Sequence, residues 1–179
     1  MNLADVFTQS AKQRSEKVAV FWGESGLTYA TLLAQSLAVA RQLTEKFGVQ
    51  PGDRVGLWLK NRPEFIPGLF GILNAEAVVV PINNFFKPAE VSHILSDAGI
   101  EVLITDEELG VHFPALASTR PSLRICKIEE VVAANSEIAN CKLPIVNRTE
   151  SDLLSLISVL SVLMLTNTRT GLLFRPKTH

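Results

Sequence analysis

The sequence GDRVGLWLKNRPEF spans residues 52–65 and combines a turn, a strand and the start of a helix. Pro51 and Gly52 form a turn signal before Arg54 and the apolar run of residues 55–59. Pro63 then stands where a helix can begin without losing a useful backbone donor. We therefore predict a β-strand over residues 54–59 and a helix from Pro63 to about Glu76.

The same rhythm continues towards the C-terminus. Residues 77–80 read AVVV, an uninterrupted apolar run typical of a strand covered on both faces in a parallel sheet. Pro88 opens a second helix that ends at Gly99, and residues 100–105, IEVLIT, form the next strand. A helix over about 107–118 and a strand over about 123–128 follow. Alternating strands and helices predict an α/β fold with three layers, in which helices flank a mainly parallel sheet.

The N-terminal part predicts a helix from Asn2 to about Arg14 and a hairpin, followed by a second helix that begins after Thr28 and ends at Gly48. Periodicity places the apolar residues of each helix on one buried face. These are Leu3, Val6, Phe7 and Ala11 in the first helix and Leu33, Leu37, Ala40, Leu43 and Phe47 in the second. Trp22, Trp58 and Tyr29 are predicted to lie in the core or at its edge.

The composition describes a soluble globular protein. The chain has 179 residues, 47% of them hydrophobic, and its 17 basic and 18 acidic residues give a net charge of -1. This balance argues against nucleic acid or an anionic membrane as the main partner. Cys126 and Cys141 are interpreted as reduced thiols, and the N-terminus has no export signal, so we expect a cytoplasmic protein. The apolar run Leu153–Leu165 has 13 residues, too few for the roughly 20 that cross a bilayer.

Motifs for phosphate, metal or nucleophilic chemistry are missing from the sequence. No G-x-G-x-x-G follows Leu59 or Val80, and there is no Walker-type loop. There is also no G-x-S-x-G and no compact metal motif. The remaining polar candidates are assigned structural roles, as isolated histidines, ordinary helix serines or acidic residues at helix starts. They are His93, His112 and His179, Ser92 and Ser96, and the pairs Glu107–Glu108 and Glu129–Glu130.

Two groups follow strands at the edge where open α/β sheets bind ligands. Lys60 and Arg62 follow the strand 54–59, and NNFF at 83–86 follows the strand 77–80. The two cations are interpreted as a solvated basic rim, with the steering of an anion as the alternative. The asparagines suit a turn, and Phe85 and Phe86 are predicted to pack rather than to face a ligand.

Together these stretches resemble the N-terminal part of the adenylate-forming superfamily, which includes acyl-CoA synthetases and peptide-synthetase adenylation domains. LTYATL at 27–32 is similar to the family's LTYxEL, and residues 52–65 to GDRVAIxLxNxPEF. AVVVPIN at 77–83 resembles GAVxVPLN, and residues 90–105 resemble ExxxILxDxxxxxLIT. The likeness extends over about 150 residues in order, spacing and composition.

The resemblance implies an AMP-forming ligase that uses ATP and Mg²⁺ to turn a carboxylic acid into an acyl-adenylate and then a coenzyme A thioester. The matched segments correspond to the first structural subdomain, which in this family is mostly scaffold. No catalytic, cofactor-binding or metal-binding residue of the family is carried over. Neither ATP, Mg²⁺ nor CoA is therefore expected as a cofactor of this chain alone.

The resemblance fails after residue 152. Gly171 is the single glycine beyond Gly110, and Asp152 is the last acidic residue. Residues 166–171, TNTRTG, replace the family's glycine- and lysine-containing phosphate loop and are not expected to bind phosphate. We predict a partial ligase N-terminal domain over 1–152 and an atypical tail over 153–179. A shifted reading frame is the preferred explanation of the tail, with alternative splicing or deliberate truncation as alternatives.

The sequence thus favours a truncated acyl-CoA synthetase, of the kind that serves fatty acid metabolism, that is inactive by itself. Carboxylic acid, ATP and CoA would be its partners only after completion by the missing region. A non-catalytic α/β interaction module or complementing fragment is the alternative, and a free-standing nucleotide-binding protein is weaker. Exposed apolar surface and self-association are expected because the missing region would cover part of the sheet.

Overall fold

A computed structural model describes residues 3–133 of the chain. The first half contains α1 (Leu3–Gln13), β1 (Val18–Trp22), β2 (Ser25–Thr28), α2 (Tyr29–Arg41), a π-helical turn (Gln42–Lys46), β3 (Arg54–Trp58) and α3 (Phe65–Asn74). The second half contains β4 (Val78–Pro81), α4 (Pro88–Asp97), β5 (Val102–Thr105), a 3₁₀ turn (Glu108–His112), α5 (Phe113–Thr119), β6 (Arg124–Lys127) and α6 (Ile128–Ala133). None of these helices has the length and hydropathy that a membrane span requires.

Within residues 3–133 the main sheet has four parallel strands in the order β4-β3-β5-β6. Val55 lies opposite Val79 of β4 on one side and Val102 of β5 on the other. β1 and β2 form a separate antiparallel hairpin. The α/β fold with a mainly parallel sheet, predicted from the strand-helix rhythm, is confirmed.

Helices cover both faces of this sheet. On one face, Trp58 and Leu103 pack with Val91 and Leu95 of α4 and with Leu116 of α5. On the other face, Gly68 of α3 lies against Leu57, Leu59 and Ile128, and α2 packs on α3 and α6. The chain therefore has the three predicted layers, and its core lies on both sides of β3 and β5.

Several element boundaries follow from local chemistry that the sequence shows. The Thr28 side chain accepts a hydrogen bond from the Thr31 amide at 3.1 Å and caps the start of α2. Gly48 has φ +63°, a left-handed conformation that only glycine adopts cheaply. Pro88 begins α4, where the Glu90 carboxylate accepts the Lys87 amide at 2.7 Å.

The helix α2 crosses α3 at very close range. A Cβ atom at Gly71 would lie 2.5 Å from Val39 Cβ and 3.0 Å from the Ser36 carbonyl oxygen. Because neither of these atoms is at the end of a flexible side chain, the approach depends on glycine. This crossing holds α2 and α3 together in the helical layer that packs on one face of β3.

Two predictions about exposure of the sheet and its hairpin are wrong. The strand predicted at 77–80 is not covered on both faces, because Val78 is 48% exposed and Val79 and Val80 are only half-buried. Within residues 3–133, β4 lies at the edge of the sheet and pairs only with β3. Trp22 is 53% exposed at the end of the hairpin, whereas Trp58 is fully buried and Tyr29 is half-buried. An apolar run or a tryptophan does not by itself show which strand lies at the edge.

The buried faces of the first two helices agree with the prediction only in part. In the second helix Ala40, Leu43 and Phe47 are buried as predicted, whereas Leu33 is half-buried and Leu37 is 50% exposed. The fully buried Leu32, Ser36 and Val39 each lie one position before a predicted residue. In α1, Leu3 and Val6 are exposed, so the predicted buried face is wrong at these two positions. The prediction is correct for Ala11, which is buried, and for Phe7, whose ring stacks on that of Phe70 with 4.0 Å between the ring centroids. Both helices carry apolar residues on several sides, so the helical period alone did not identify the buried face.

Candidate functional site

The carboxyl edge of the main sheet is where this fold class binds ligands. After β3 the chain adds β4 on one side and later adds β5 on the other side, so its direction reverses between β3 and β5. We call the place where Lys60, beyond the end of β3, meets Asp106, beyond the end of β5, the switch-point crevice. Ligands of open α/β sheets are found at such a point.

Asp106 occupies the switch-point crevice with its own carboxylate. Its side chain is completely buried. One oxygen accepts a hydrogen bond from the Lys60 amide at 2.6 Å, and the other accepts the Leu109 amide at 2.9 Å. The carboxylate thus joins the end of β3 to the segment after β5. Sequence reasoning missed this residue, although an acidic residue directly after a mainly apolar strand was a usable signal.

Arg62 is held by two carboxylates instead of pointing into solvent. Its Nε donates to Glu64 at 2.9 Å, and its Nη1 pairs with the Glu129 carboxylate. The hydrogen bond to Glu64 is the main reason why the pKa of Arg62 is raised, and it outweighs the opposing effect of burial. The interpretation of Arg62 as part of a solvated basic rim is therefore wrong.

Glu129 connects three segments of the same edge. Besides Arg62, it accepts the Glu107 amide at 3.1 Å, and it lies in the first turn of α6. Burial alone would raise the pKa of this carboxyl, but the hydrogen bonds from the Glu107 amide, its own amide and Arg62 outweigh burial and lower it. Its structural assignment at a helix start holds, with an ion pair that the sequence did not predict.

Lys60 is the more exposed of the two cations. Its Nζ lies 4.0 Å from a Glu108 carboxylate oxygen, and the two side chains are 46% and 70% exposed. Such a pair contributes little in water. The interpretation as a solvated cation therefore fits the Lys60 side chain. Its backbone amide, and not its ammonium group, forms the hydrogen bond to Asp106 in the switch-point crevice.

A buried tryptophan holds the turn after β4. The Trp58 indole N–H donates to the Asn83 carbonyl at 3.2 Å, and the Asn83 side chain accepts the Phe85 amide at 2.9 Å. Asn83 thus plays the predicted turn role. Phe85 is 88% exposed and Phe86 is 37% exposed, so the prediction that Phe85 packs is wrong.

The other candidates lie away from the switch-point crevice or have structural contacts. His93 is exposed on α4, and the His112 ring lies 5.9 Å from that of Trp58. Ser92 hydrogen-bonds Thr119 at 2.8 Å and links α4 to α5. Within residues 3–133, no three His, Cys, Asp or Glu side chains are grouped as a metal site would require.

Cys126 on β6 is a buried free thiol, and burial is the main reason why its pKa is raised to about 12. A thiol in that state is a poor nucleophile. The remaining predictions concern His179, Cys141, the apolar run Leu153–Leu165 and the loop at 166–171. They lie outside the described residues.

The residues at this edge do not fit a triphosphate with its magnesium. The Lys60 and Leu109 amides are engaged by Asp106, and the guanidinium of Arg62 is engaged by Glu64 and Glu129. A nucleotide here would meet negative charge and donors that are already used. The other cations that follow these strands are also paired, Lys60 with Glu108 and Lys127 with Glu130.

Comparison with known proteins places the chain in a family. The family model for AMP-binding enzymes matches residues 7–156, which is most of the chain. The chain belongs to the AMP-binding enzyme family. The matched range includes every strand and helix of the described part except the first residues of α1.

Relatives of this chain include both peptide synthetases and ligases. Bacitracin synthase 3 of Bacillus licheniformis is 35% identical over 107 residues, which are 60% of this chain and 2% of that protein. A long-chain-fatty-acid–CoA ligase of Escherichia coli O157:H7 is 33% identical over 103 residues, which are 58% of this chain and 18% of the ligase.

The fold is shared with solved structures of AMP-binding enzymes. An anthranilate CoA ligase in complex with anthranoyl-AMP superimposes with a TM-score of 0.68 and 25% identity. The superposition covers 75% of this chain and 27% of the ligase. The chain therefore spans between one fiftieth and about a quarter of the length of these three relatives.

Proposed function

We propose that this chain is the first structural subdomain of an ATP-dependent acyl-CoA synthetase and that it has no catalytic activity by itself. The observation that supports this proposal is the geometry of the switch-point crevice. It lies in a domain of the AMP-binding family, yet its amides are hydrogen-bonded to Asp106. Because the amides at this edge of the sheet are already bound to Asp106, the domain would support the neighbouring regions of the enzyme and would not bind the nucleotide at this edge.

In this proposal the completed enzyme activates a carboxylic acid as its acyl-adenylate and then forms a thioester with CoA. ATP, Mg²⁺ and CoA would be bound by regions beyond the described residues, since the carboxylates at the carboxyl edge do not suit a polyphosphate. The described residues would supply a rigid three-layer support. We further propose a cytoplasmic location and a role in fatty acid metabolism.

A second candidate is a complementing fragment without chemistry of its own. Phe85 and Val111, 88% and 76% exposed, support it. Phe85 lies in the turn whose Asn83 carbonyl accepts the Trp58 indole N–H, and Val111 lies beside His112, whose ring is near that of Trp58. Both exposed side chains therefore belong to turns that contact a buried core residue. Exposed apolar side chains on an ordered base are typical of protein contacts.

One experiment with three arms tests both proposals. The 179-residue chain is assayed alone, fused in place of the aligned segment of the Escherichia coli ligase, and mixed with the remainder of that ligase. The readouts are ATP–pyrophosphate exchange and acyl-CoA formation with fatty and aromatic acids. We expect no activity alone and activity in the fusion.

The three arms separate the outcomes. Exchange by the chain alone would contradict inactivity. A folded fusion that forms no acyl-CoA would contradict the supporting role within a ligase. Activity in the mixture that disappears with Phe85→Ser would favour the complementing fragment, and Leu37→Ser, an exposed apolar change on α2, is the matched control.

A further inference from the structure

We propose that the carboxyl edge of the main sheet carries a self-complementary surface through which two copies of this chain form a weak two-fold dimer. The surface consists of Phe85, Phe86 and Val111 together with the charged residues Lys87 and Glu108, and we call it the edge patch. Its occupant is a second copy of the same chain. The proposed dimer involves residues 3–133 alone and does not depend on the chain being part of a ligase.

The apolar part of the edge patch is concentrated at one end of the sheet. Phe85 is 88%, Val111 is 76% and Phe86 is 37% exposed. The other exposed large apolar side chains of the described part are spread over α1, the hairpin, α2 and the start of β4. Exposed aromatic rings gain free energy when a partner surface covers them, so an interface is expected where they are concentrated.

The edge patch is presented by two turns that the core holds in place. The Asn83 carbonyl accepts the Trp58 indole N–H at 3.2 Å, and the Asn83 side chain accepts the Phe85 amide at 2.9 Å. The ring of His112, next to Val111, has its centroid 5.9 Å from that of Trp58. The turns follow β4 and β5, which flank β3, so they begin roughly 10 Å apart. An ordered surface loses little conformational entropy when it binds.

Opposite charges flank the two halves of the edge patch. Lys87 is exposed next to Phe86, and its side chain forms no ion pair within residues 3–133. Glu108 lies three positions before Val111 in the 3₁₀ turn, a spacing at which side chains share one face. Its carboxylate is 70% exposed and lies 4.0 Å from the Lys60 ammonium group, so it can accept a second cation.

Neighbouring charges leave the Lys87 ammonium group available. The Glu90 carboxylate accepts the Lys87 backbone amide at 2.7 Å at the start of α4, but it forms no ion pair with the ammonium group. The half of the edge patch after β4 thus combines phenylalanine rings with a free cation. The half after β5 combines a valine with an exposed carboxylate.

A two-fold rotation brings each half of the edge patch onto the opposite half of a second copy. Phe85 and Phe86 of one copy then meet Val111 of the other, and Lys87 of one copy meets Glu108 of the other. Each contact occurs twice, because the same surface is used by both copies. An unrelated partner would need the same two halves in reverse order. The chain supplies both halves itself, and this charge complementarity favours a second copy.

Charge reversal in the full 179-residue chain tests the dimer directly. Sedimentation equilibrium of the wild type should show a monomer–dimer equilibrium. Lys87→Glu and Glu108→Lys should each raise the dissociation constant roughly tenfold, because one substitution changes both symmetric contacts. An equimolar mixture of the two variants should recover the wild-type dissociation constant, since opposite charges then face each other at both contacts.

Matched controls separate this interface from association elsewhere in the chain. Lys12→Glu on α1 and Glu24→Lys in the hairpin reverse exposed charges outside the edge patch. Both should leave the dissociation constant unchanged. The thermal midpoints of all four variants should stay close to that of the wild type, because the altered side chains are exposed.

Several results would overturn the proposal. A wild type that stays monomeric would do so, and binding of the remainder of the Escherichia coli ligase in that case would assign the edge patch to that partner. Oligomers larger than a dimer would contradict two-fold symmetry. A dimer that neither reversal weakens, or a mixture without recovery, would place the interface in another part of the chain.

Discussion

Arg62 and Glu129 are separated by 67 positions, yet their side chains form an ion pair that joins the segment after β3 to α6. The two side chains are 22% and 29% exposed, so solvent screens the pair only in part. The Glu107 amide donates to the same carboxylate. Glu129 therefore stabilises the carboxyl edge through one charged group shared by three segments.

The first prediction concerns the pH dependence of this pair. The pKa of Glu129 is lowered in the folded state, so the folded chain binds fewer protons at this group than the unfolded chain. Its stabilisation is complete above the ordinary glutamate pKa of about 4.3 and is lost as the pH falls through the lower folded value. Glu129→Gln should reduce the free energy of unfolding at pH 7 by about 1 kcal/mol.

Urea unfolding at pH 7 and at a pH below 4 measures this effect. The difference between wild type and Glu129→Gln should shrink in acid, because the carboxyl of the unfolded chain is protonated first and that of the folded chain follows as the pH falls through its lowered pKa. Glu130→Gln is the control, since Glu130 is 62% exposed and lies 4.0 Å from Lys127. A difference that is the same at both pH values would show that the charge of Glu129 is not responsible.

At the scale of elements, the sequence predicted the type and order of the strands better than their surroundings. β3 and β5 were found because an apolar run between turn signals has few other structures available. The edge position of β4 was not found, since AVVV suits a central strand equally well. Which strand lies at the edge depends on contacts between distant segments, and a local apolar run does not contain them.

The second prediction belongs to the crossing of α2 and α3. Gly71→Ala would place a Cβ atom 2.5 Å from Val39 Cβ and 3.0 Å from the Ser36 carbonyl oxygen. Separation of the helices should cost about 1–3 kcal/mol, more than the roughly 1 kcal/mol that alanine contributes to helix propensity. We therefore expect a net loss of stability, measured by urea unfolding.

Gly68→Ala is the matched control on the same helix. Its Cβ would lie 2.9 Å from Leu57 Cδ1, the end of a flexible side chain that can move aside. The loss for Gly68→Ala should be smaller than for Gly71→Ala. If Gly71→Ala stabilised the chain, the close approach of the two helices would be absent in solution.

For the whole molecule, the candidate site was the least predictable part. Lys60, Arg62 and the turn at 83–86 were correctly placed at one edge, because the carboxyl ends of parallel strands meet there. The role of Asp106 was missed, and so was the pairing of Arg62 with Glu129. Both depend on tertiary contacts across 46 and 67 positions, which local patterns do not report.

The third prediction concerns association of the whole chain. Phe85 and Val111 are among the most exposed apolar side chains of the described part, and their turns contact the same buried Trp58 through Asn83 and His112. Apolar groups presented on an ordered base are expected to associate in water. We therefore expect the chain to self-associate as its concentration increases.

Sedimentation velocity over a range of concentrations measures this association. Phe85→Ser with Val111→Ser should lower the weight-average mass, while the thermal midpoint changes little because both side chains are already exposed. Leu37→Ser, which removes a 50% exposed apolar side chain from α2, should leave the association unchanged. If all variants sediment like the wild type, association does not involve the carboxyl edge. That result would also weaken the complementing-fragment proposal, since both depend on the same exposed side chains.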